Sequence, residues 1–329
     1  MTSFRVGRLL TALAISALAL VPAMSAAKAA YPDRPIRLIV PYPAGGSSDI
    51  VGRSFAEHLE RALGQPVVIE NVGGAGGYNG ALRAANSTPD GYTLLIGSGS
   101  ELLIRNLLQP QPVADPLRPY TPISVIGAGP MVLVGKPDLK ATDLKSVIAL
   151  AKEQPKGLNY GSAGHGTFMH LVGEAIKFRT KANITHVPYK GAAPVMTDVV
   201  GGHVDLGVSS LAGALPFIKG GQAKALAVSS AERTEFAPDI PTLSEHPDMK
   251  DFSLELWIGL FGPANMPADV VAKLQEATRK VLDEPGLKDK LARGSISVRK
   301  LSGDDFKKFL ETENQKYKKI ITDAEIKGQ

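Results

Sequence analysis

The stretch that most constrains this chain runs from residue 36 to residue 63. Ile36, Leu38, Ile39 and Val40 form a short apolar, β-branched run, the pattern of a buried strand. Pro41 and Pro43 then end any ladder pairing, because proline has no amide hydrogen to donate. Gly45 and Gly46 permit dihedrals and close backbone approaches that a Cβ would forbid. Ser47, Ser48 and Asp49 are residue types that start helices. Ile50, Val51, Phe55, Leu59 and Leu63 follow at helical spacing, and Gly64 and Pro66 stop the run. Strand, glycine-rich turn and helix start together leave several amide N–H groups aimed at one point, with the positive end of a helix dipole behind them. The pattern predicts an anion site.

A single turn of this kind is equally compatible with an ordinary strand-to-helix connection whose glycines serve only for turning. This chain writes the arrangement twice. Gly161-Ser-Ala-Gly-His-Gly-Thr167 follows an apolar strand pattern and precedes a helical one over residues 168–178. Ser100 ends a further permissive loop, and Tyr189-Lys190-Gly191 makes a turn after another strand pattern. Throughout, strand and helix patterns alternate, which argues an α/β fold with helices on both faces of mainly parallel sheets. Strand-like runs at 124–128 and 131–134, interrupted at Gly129-Pro130, read as a first crossing between two domains, and 224–228 as the return. The expected division is 1–29 as a leader, 30–129 with 230–329 as a discontinuous first domain, and 130–229 as the second. A short strand is expected over 295–301.

Arg5 and Arg8, an apolar run over residues 9–23 and the small-x-small pattern Ala27-Lys28-Ala29 have the form of a secretory signal peptide cleaved near Ala29. Fifteen apolar residues fall short of the ~20 needed to span a bilayer. The chain contains no cysteine, so lipid attachment at an N-terminal Cys and thiol chemistry are excluded. The expected location is the periplasm, in soluble form. Loss of the leader removes three basic residues and no acids, taking the formal charge from +5 to +2. No block of like charge remains and no basic stripe is interleaved with aromatics, so nucleic acid is not an expected partner.

Enzyme signatures are missing. There is no Gly-x-Ser-x-Gly elbow, no P-loop and no dinucleotide fingerprint. His165 and His170 do not have the spacing of two metal ligands on one helix face, and no His-Glu-x-x-His accompanies them, so neither metal nor cofactor is expected. Asp49 reads as a first-turn partner of the helix dipole, since a carboxylate would repel a bound anion. His170 reads as a residue tying its loop down.

Four stretches in order carry a resemblance: residues 31–49, Gly164-His-Gly-Thr-Phe-Met-His-Leu171, Val187-Pro-Tyr-Lys-Gly191 and Trp257-Ile-Gly-Leu-Phe-Gly-Pro263. The chain resembles the Bug family, the extracytoplasmic receptors of tripartite tricarboxylate transporters, over nearly all its length beyond the leader. The resemblance implies a type II periplasmic binding protein of the Venus-flytrap kind, two α/β domains joined by two crossing strands, monomeric, capturing a small organic carboxylate between them. It implies a ligand-binding set of Tyr42, Ala44, Gly45, Gly46, Ser47, Ser48 and Asp49 in the first domain, with Ser100 beside them. In the second domain the set is Ser162, Ala163, Gly164, His165, Gly166, Thr167 and His170, with Tyr189, Lys190 and Gly191. Membrane subunits of such a transporter are the implied partner. A receptor feeding a sensor kinase, or a periplasmic enzyme, are the alternative readings. The chain departs from the family pattern at residues 115–120 and in the last helix at 315–319, where the usual tryptophan is missing.

Overall fold

The computed structural model describes residues 31–327. The leader and its cleavage point near Ala29 lie outside the described residues. β1 (Ile36–Val40) is buried at four of its five positions, as a central parallel strand covered on both faces must be. It leads to α1 (Ser47–Leu63), which ends where Gly64 takes the left-handed conformation and donates its N–H to the Glu60 carbonyl. β2 (Val67–Asn71), α2 (Tyr78–Ala85) and β3 (Thr93–Ser98) complete the first βα series. A wide helical turn at Ser100–Ile104 runs into Arg105–Leu107, and β4 (Tyr120–Gly135) follows.

The second series holds α3 (Leu144–Glu153), β5 (Leu158–Ser162), α4 (Phe168–Thr180), β6 (Ile184–Pro188), α5 (Ala192–Val200), β7 (Leu206–Ser210), α6 (Leu211–Lys219) and β8 (Lys224–Val228). The chain returns through β9 (Glu255–Pro263), α7 (Ala268–Asp283), α8 (Pro285–Arg293), β10 (Ser297–Val298) and α9 (Gly303–Asp323).

Strand pairing resolves this order into two α/β halves. In the first, β2, β1 and β3 are parallel, and β3 pairs antiparallel with β9, which pairs with β4. In the second, β6, β5 and β7 are parallel, and β7 and β8 flank the far end of β4 in antiparallel register. The expectation of mainly parallel sheets therefore holds only for the outer strands; the junction between the halves is antiparallel.

The interruption expected at Gly129-Pro130 does not occur, and the reason lies in the pairing. β9 pairs with β4 as far as Pro130 (opposite Glu255), while β7 pairs from Met131 onward. Pro130, with no N–H to give, occupies the changeover, where one set of partners ends and another begins. Ser229 closes the gap: its Oγ accepts the Met131 N–H at 3.0 Å and lies 2.5 Å from the Leu254 carbonyl.

One further local expectation fails, and one helix was not anticipated. The strand expected over 295–301 shrinks to Ser297 and Val298. Residues 285–293 form a helix the sequence pattern hides, because Pro-Gly reads as a breaker although proline suits a helix's first position. The departure in the last helix is filled by Tyr317, fully buried, whose hydroxyl accepts the Trp257 indole N–H at 2.7 Å and donates to Glu313.

Gly129 lies on the shared strand where an added Cβ would sit 2.4 Å from the Ser295 carbonyl oxygen. That neighbour is backbone and cannot swing away. Gly129→Ala should therefore destabilise the fold by about 1–3 kcal/mol. A melting temperature equal to wild type in thermal denaturation would contradict this packing of the junction.

Candidate functional site between the two halves

The loops after β1, β3, β5 and β6 all leave the carboxyl ends of their strands and meet between the halves. Gly45 adopts a positive φ of 89°, whereas Gly46, the N-cap of α1, is extended with φ −83°. The left-handed requirement belongs to Gly45 alone. No side chain caps α1, so its first amides keep their hydrogen-bonding capacity. Ser47 does not cap the helix; its Oγ lies 2.5 Å from the Oγ of Ser210, in the opposite half.

Asp49 turns inward. Its Oδ2 accepts from the Gly45 N–H and from Arg53, both at 3.0 Å, and its Oδ1 accepts from Asn71 at 2.9 Å. Burial pushes the carboxyl up, but those donors together hold it below the usual range. An ionised, satisfied Asp49 fixes the shape of the loop.

In the second half Gly164 and Gly166 take φ values of 130° and 74°. Thr167 caps α4, its Oγ1 accepting the His170 N–H at 3.3 Å and donating to the Gly164 carbonyl at 2.8 Å. The Phe168 N–H reaches across to Ser100 Oγ at 3.1 Å. Gly191, at φ 148°, opens α5, which also lacks a side-chain cap.

These pieces enclose an inner cavity of about 60 Å³. Its walls include Tyr42, Ala44, Gly46, Ser47, Ser48, Ser100, Ala163, Thr167 and Gly191 from the predicted set. Pro43, Ser98, Phe168, Met169, Ala192, Ala193 and Pro194 join them, with Met131 and Leu256 from the shared strands. Among the described residues no charged side chain lines it. Three helices of at least nine residues, α1, α4 and α5, begin at its wall. Each presents the positive end of its dipole.

An adjoining outer cavity of about 280 Å³ is lined by Tyr42 and Ala163 in common with the first. Gly164, His165, Tyr189 and Lys190 of the predicted set line it, and so do Pro188, the loop Gly74, Ala75, Gly76 and Gly77, and Arg105. Gly45, Asp49, Ser162, Gly166 and His170 line neither cavity and shape the loops instead. His170 Nδ1 accepts from the Gly166 N–H at 3.3 Å, the tying role expected of it. Ser162 Oγ hydrogen-bonds His186 Nε2 at 2.7 Å.

Ser210 escaped the sequence reading, and Phe168 and Met169 were read as the start of a helix but not as site residues, although their strand-to-helix context matched the two loops it found. Met131, Leu256 and Arg105 carried no local signal at all. The Tyr42 hydroxyl lies 2.9 Å from Glu101 Oε2 and 3.0 Å from the Gly76 carbonyl. Burial pushes Glu101 up to about 7 against the Ser98 hydroxyl and amide and the Tyr42 hydroxyl, which favour its ionised form. Burial and the neighbouring Glu101 hold the Tyr42 phenol neutral.

Behind the second loop three imidazoles pack together at tilted angles. His170 lies 4.3 Å from His165 and 4.4 Å from His186, centroid to centroid. Burial, then the neighbouring imidazoles and Lys177, push His170 far down; burial, His165 and Lys177 push His186 down to about 4. Burial also lowers His165, with Arg105 acting the same way and the Lys327 backbone and Glu174 opposing. Among the described residues no group of three or more His, Asp or Glu is arranged to hold a metal ion.

An unfolded chain takes up protons on these histidines below about pH 6.5, while the folded one refuses them on His186 until about pH 4. Stability should consequently fall as pH drops from 6.5 towards 4. In His186→Gln the fall in melting temperature between about pH 7 and pH 5 should be smaller than in wild type. Equal falls in the two proteins would contradict a neutral, desolvated His186.

This chain is similar to proteins already known. The pattern of the tripartite tricarboxylate transporter family receptors matches residues 51–326. BugT of Bordetella pertussis is 33% identical over 90% of this chain and 91% of its own length. A Rhodopseudomonas palustris protein solved with adipate is 29% identical, with a TM-score of 0.86 over 91% of this chain and 100% of its own. MatC from the same organism, solved with bound malate, is 28% identical, with a TM-score of 0.82 over 88% of this chain and 100% of its own.

Proposed function

This chain belongs to the tripartite tricarboxylate transporter receptor family, and from that premise we propose that its inner cavity captures the carboxylate of a small organic acid for delivery to a membrane transporter. The family consists of periplasmic solute-binding receptors in the two-domain α/β fold, with the Bug proteins among its members. One observation carries the proposal. Three helix N-termini and the hydroxyl-bearing residues Ser47, Ser48, Ser98, Ser100 and Thr167 surround a cavity that no charged side chain lines among the described residues. Such a site offers an anion many partial positive charges and no competing carboxylate. The malate and adipate seen in related structures are anions of this kind.

In this reading the ligand contacts are the Ser47 and Ser48 amides, the Thr167–Met169 turn and the start of α5, with Tyr42 and Ser100 completing the wall. Residues 30–129 and 230–329 act as one jaw and 130–229 as the other, and residues 1–29 direct export. Each helix end contributes only about 0.3–2 kcal/mol. Micromolar affinity requires ~8 kcal/mol, so the halves must close together on the ligand and exclude water. The Ser47–Ser210 and Ser100–Phe168 bonds are contacts that such closure makes. The function is capture and release without turnover.

Thermal denaturation with matched acids and amides tests the reading. A carboxylate at 100 times its dissociation constant should stabilise the protein by ~2.7 kcal/mol. The corresponding carboxamide should give no shift. Malate and adipate are the first acids to try, with malamide and adipamide as controls. Equal stabilisation by an acid and its amide would overturn the anion site.

A further inference from the structure

A buried acid stands directly behind the inner cavity. Glu101 lines neither cavity, yet Tyr42 and Ser98, which hydrogen-bond its carboxyl, both line the inner wall, as does its neighbour Ser100. Glu101 is 4% exposed, and among the described residues no Lys, Arg or His forms an ion pair with it. The other buried acids near the site are paired, Asp49 with Arg53 and Glu313 with Lys316. Ser98 gives its N–H to Glu101 Oε1 and its hydroxyl to Oε2 at 2.7 Å. The Tyr42 hydroxyl lies 2.9 Å from the same Oε2 and 3.0 Å from the Gly76 carbonyl oxygen. That hydroxyl carries one proton, and a carboxylate and a carbonyl are both acceptors only. With Glu101 ionised, one of the two contacts sets lone pair against lone pair. With a proton on Oε2 the chain closes: Glu101 donates to Tyr42, and Tyr42 donates to Gly76.

Gly76 matters because its loop meets the opposite half; a Cβ there would sit 3.2 Å from the His165 carbonyl oxygen. An anion in the inner cavity also adds negative charge beside Ser98, Ser100 and Tyr42, and a like charge nearby favours the protonated acid. Burial has already pushed Glu101 up to about 7, so a further rise is felt near neutral pH. The other titratable groups on the elements packed around this turn are Tyr42, Tyr78 and Arg83 on α2, Tyr120 on β4, and Glu313, Lys316 and Tyr317 on α9. Across the cleft stand His165 and His170. Arg83 is committed to Glu70, Arg105 to the Ala75 carbonyl and the Tyr78 ring, and Glu313 to Lys316 and Tyr317. Burial holds Tyr42, Tyr120 and Tyr317 in the phenol form and lowers both histidines. Building on the carboxylate reading above, we propose that Glu101 is a positioning residue that works as a neutral acid: it takes up a proton from solvent as the anion enters the inner cavity, and in that form it turns the Tyr42 hydroxyl onto Gly76 and steadies the closed arrangement. A group more basic in the complex than in the free protein makes affinity greatest at lower pH and weakens it as pH rises through the value in the complex.

Isothermal titration with malate and adipate, in buffers of different ionisation enthalpy, counts the protons taken up with the ligand. At about pH 7.5 wild type should take up about half a proton or more per ligand, and its affinity should weaken at least about threefold between about pH 7 and pH 8.5, where both acids are fully ionised. Glu101→Gln, whose amide supplies the donor to Tyr42 at every pH, should take up none and bind with level affinity across that range. Absence of uptake in wild type, or equal uptake in the two proteins, would overturn the role of Glu101 while leaving the carboxylate reading intact. Binding of neither acid would overturn that reading and this role with it. If Glu101→Gln does not fold, infrared difference spectra of wild type carry the test: a carboxylic-acid carbonyl band gained on adding the ligand supports the role, and its absence contradicts it.

Discussion

β4 belongs to two sheets at once, and the rest of the molecule is arranged around that fact. Its first part pairs with β9 and its last part with β7 and β8, with the change of partners falling between Pro130 and Met131. Strands of both sheets therefore direct the loops at their carboxyl ends into one crevice, where ligands bind in open α/β sheets generally. Met131 and Leu256 form part of that crevice wall and lie on the very strands where the halves join. On the proposed reading a ligand in the cavity would touch the junction as well as both sets of loops. Any difference in its affinity for closed and open arrangements acts directly on the hinge.

The electrostatics of the inner cavity follow from leaving charges out. Acids near it are engaged elsewhere: Asp49 by Gly45, Arg53 and Asn71, and Glu101 by Ser98 and Tyr42. Dipoles and hydroxyls fixed by folding need little reorganisation when an anion arrives, and burial strengthens them. Burial likewise lowers the pKa of all three clustered imidazoles and favours their neutral form. Full charges enter only in the outer cavity, where Arg105 and Lys190 stand nearer to solvent.

Much of this was legible in the sequence because it is written locally. The run from Ile36 to Val40, the Pro and Gly turn and the Ser-Ser-Asp helix start announce a strand, a loop and a helix in fixed order, and the same logic marked Gly161 to Thr167. The features that escaped depend on partners far away in the chain. The continuity of β4 through Pro130 is a matter of which strands flank it. Ser210 became a partner of Ser47 only when the halves met. The predicted set of residues divides between two cavities that share Tyr42, whose hydroxyl is fixed by Glu101 and Gly76, a placement no local pattern gives. Arg105 sits in a helical turn without motif, and only folding carries it to the loop of Ala75.

The central claim is that backbone amides and hydroxyls of both halves, not charged side chains, hold the ligand's carboxylate. A crystal structure of the protein grown with malate or adipate tests it most directly. The account predicts carboxylate oxygens in the inner cavity within about 2.7–3.2 Å of amides at Ser47 or Ser48 and at Met169, with the halves in contact through Ser47 and Ser210. A ligand held only by Arg105 and Lys190, with the inner cavity occupied by water alone, would contradict it.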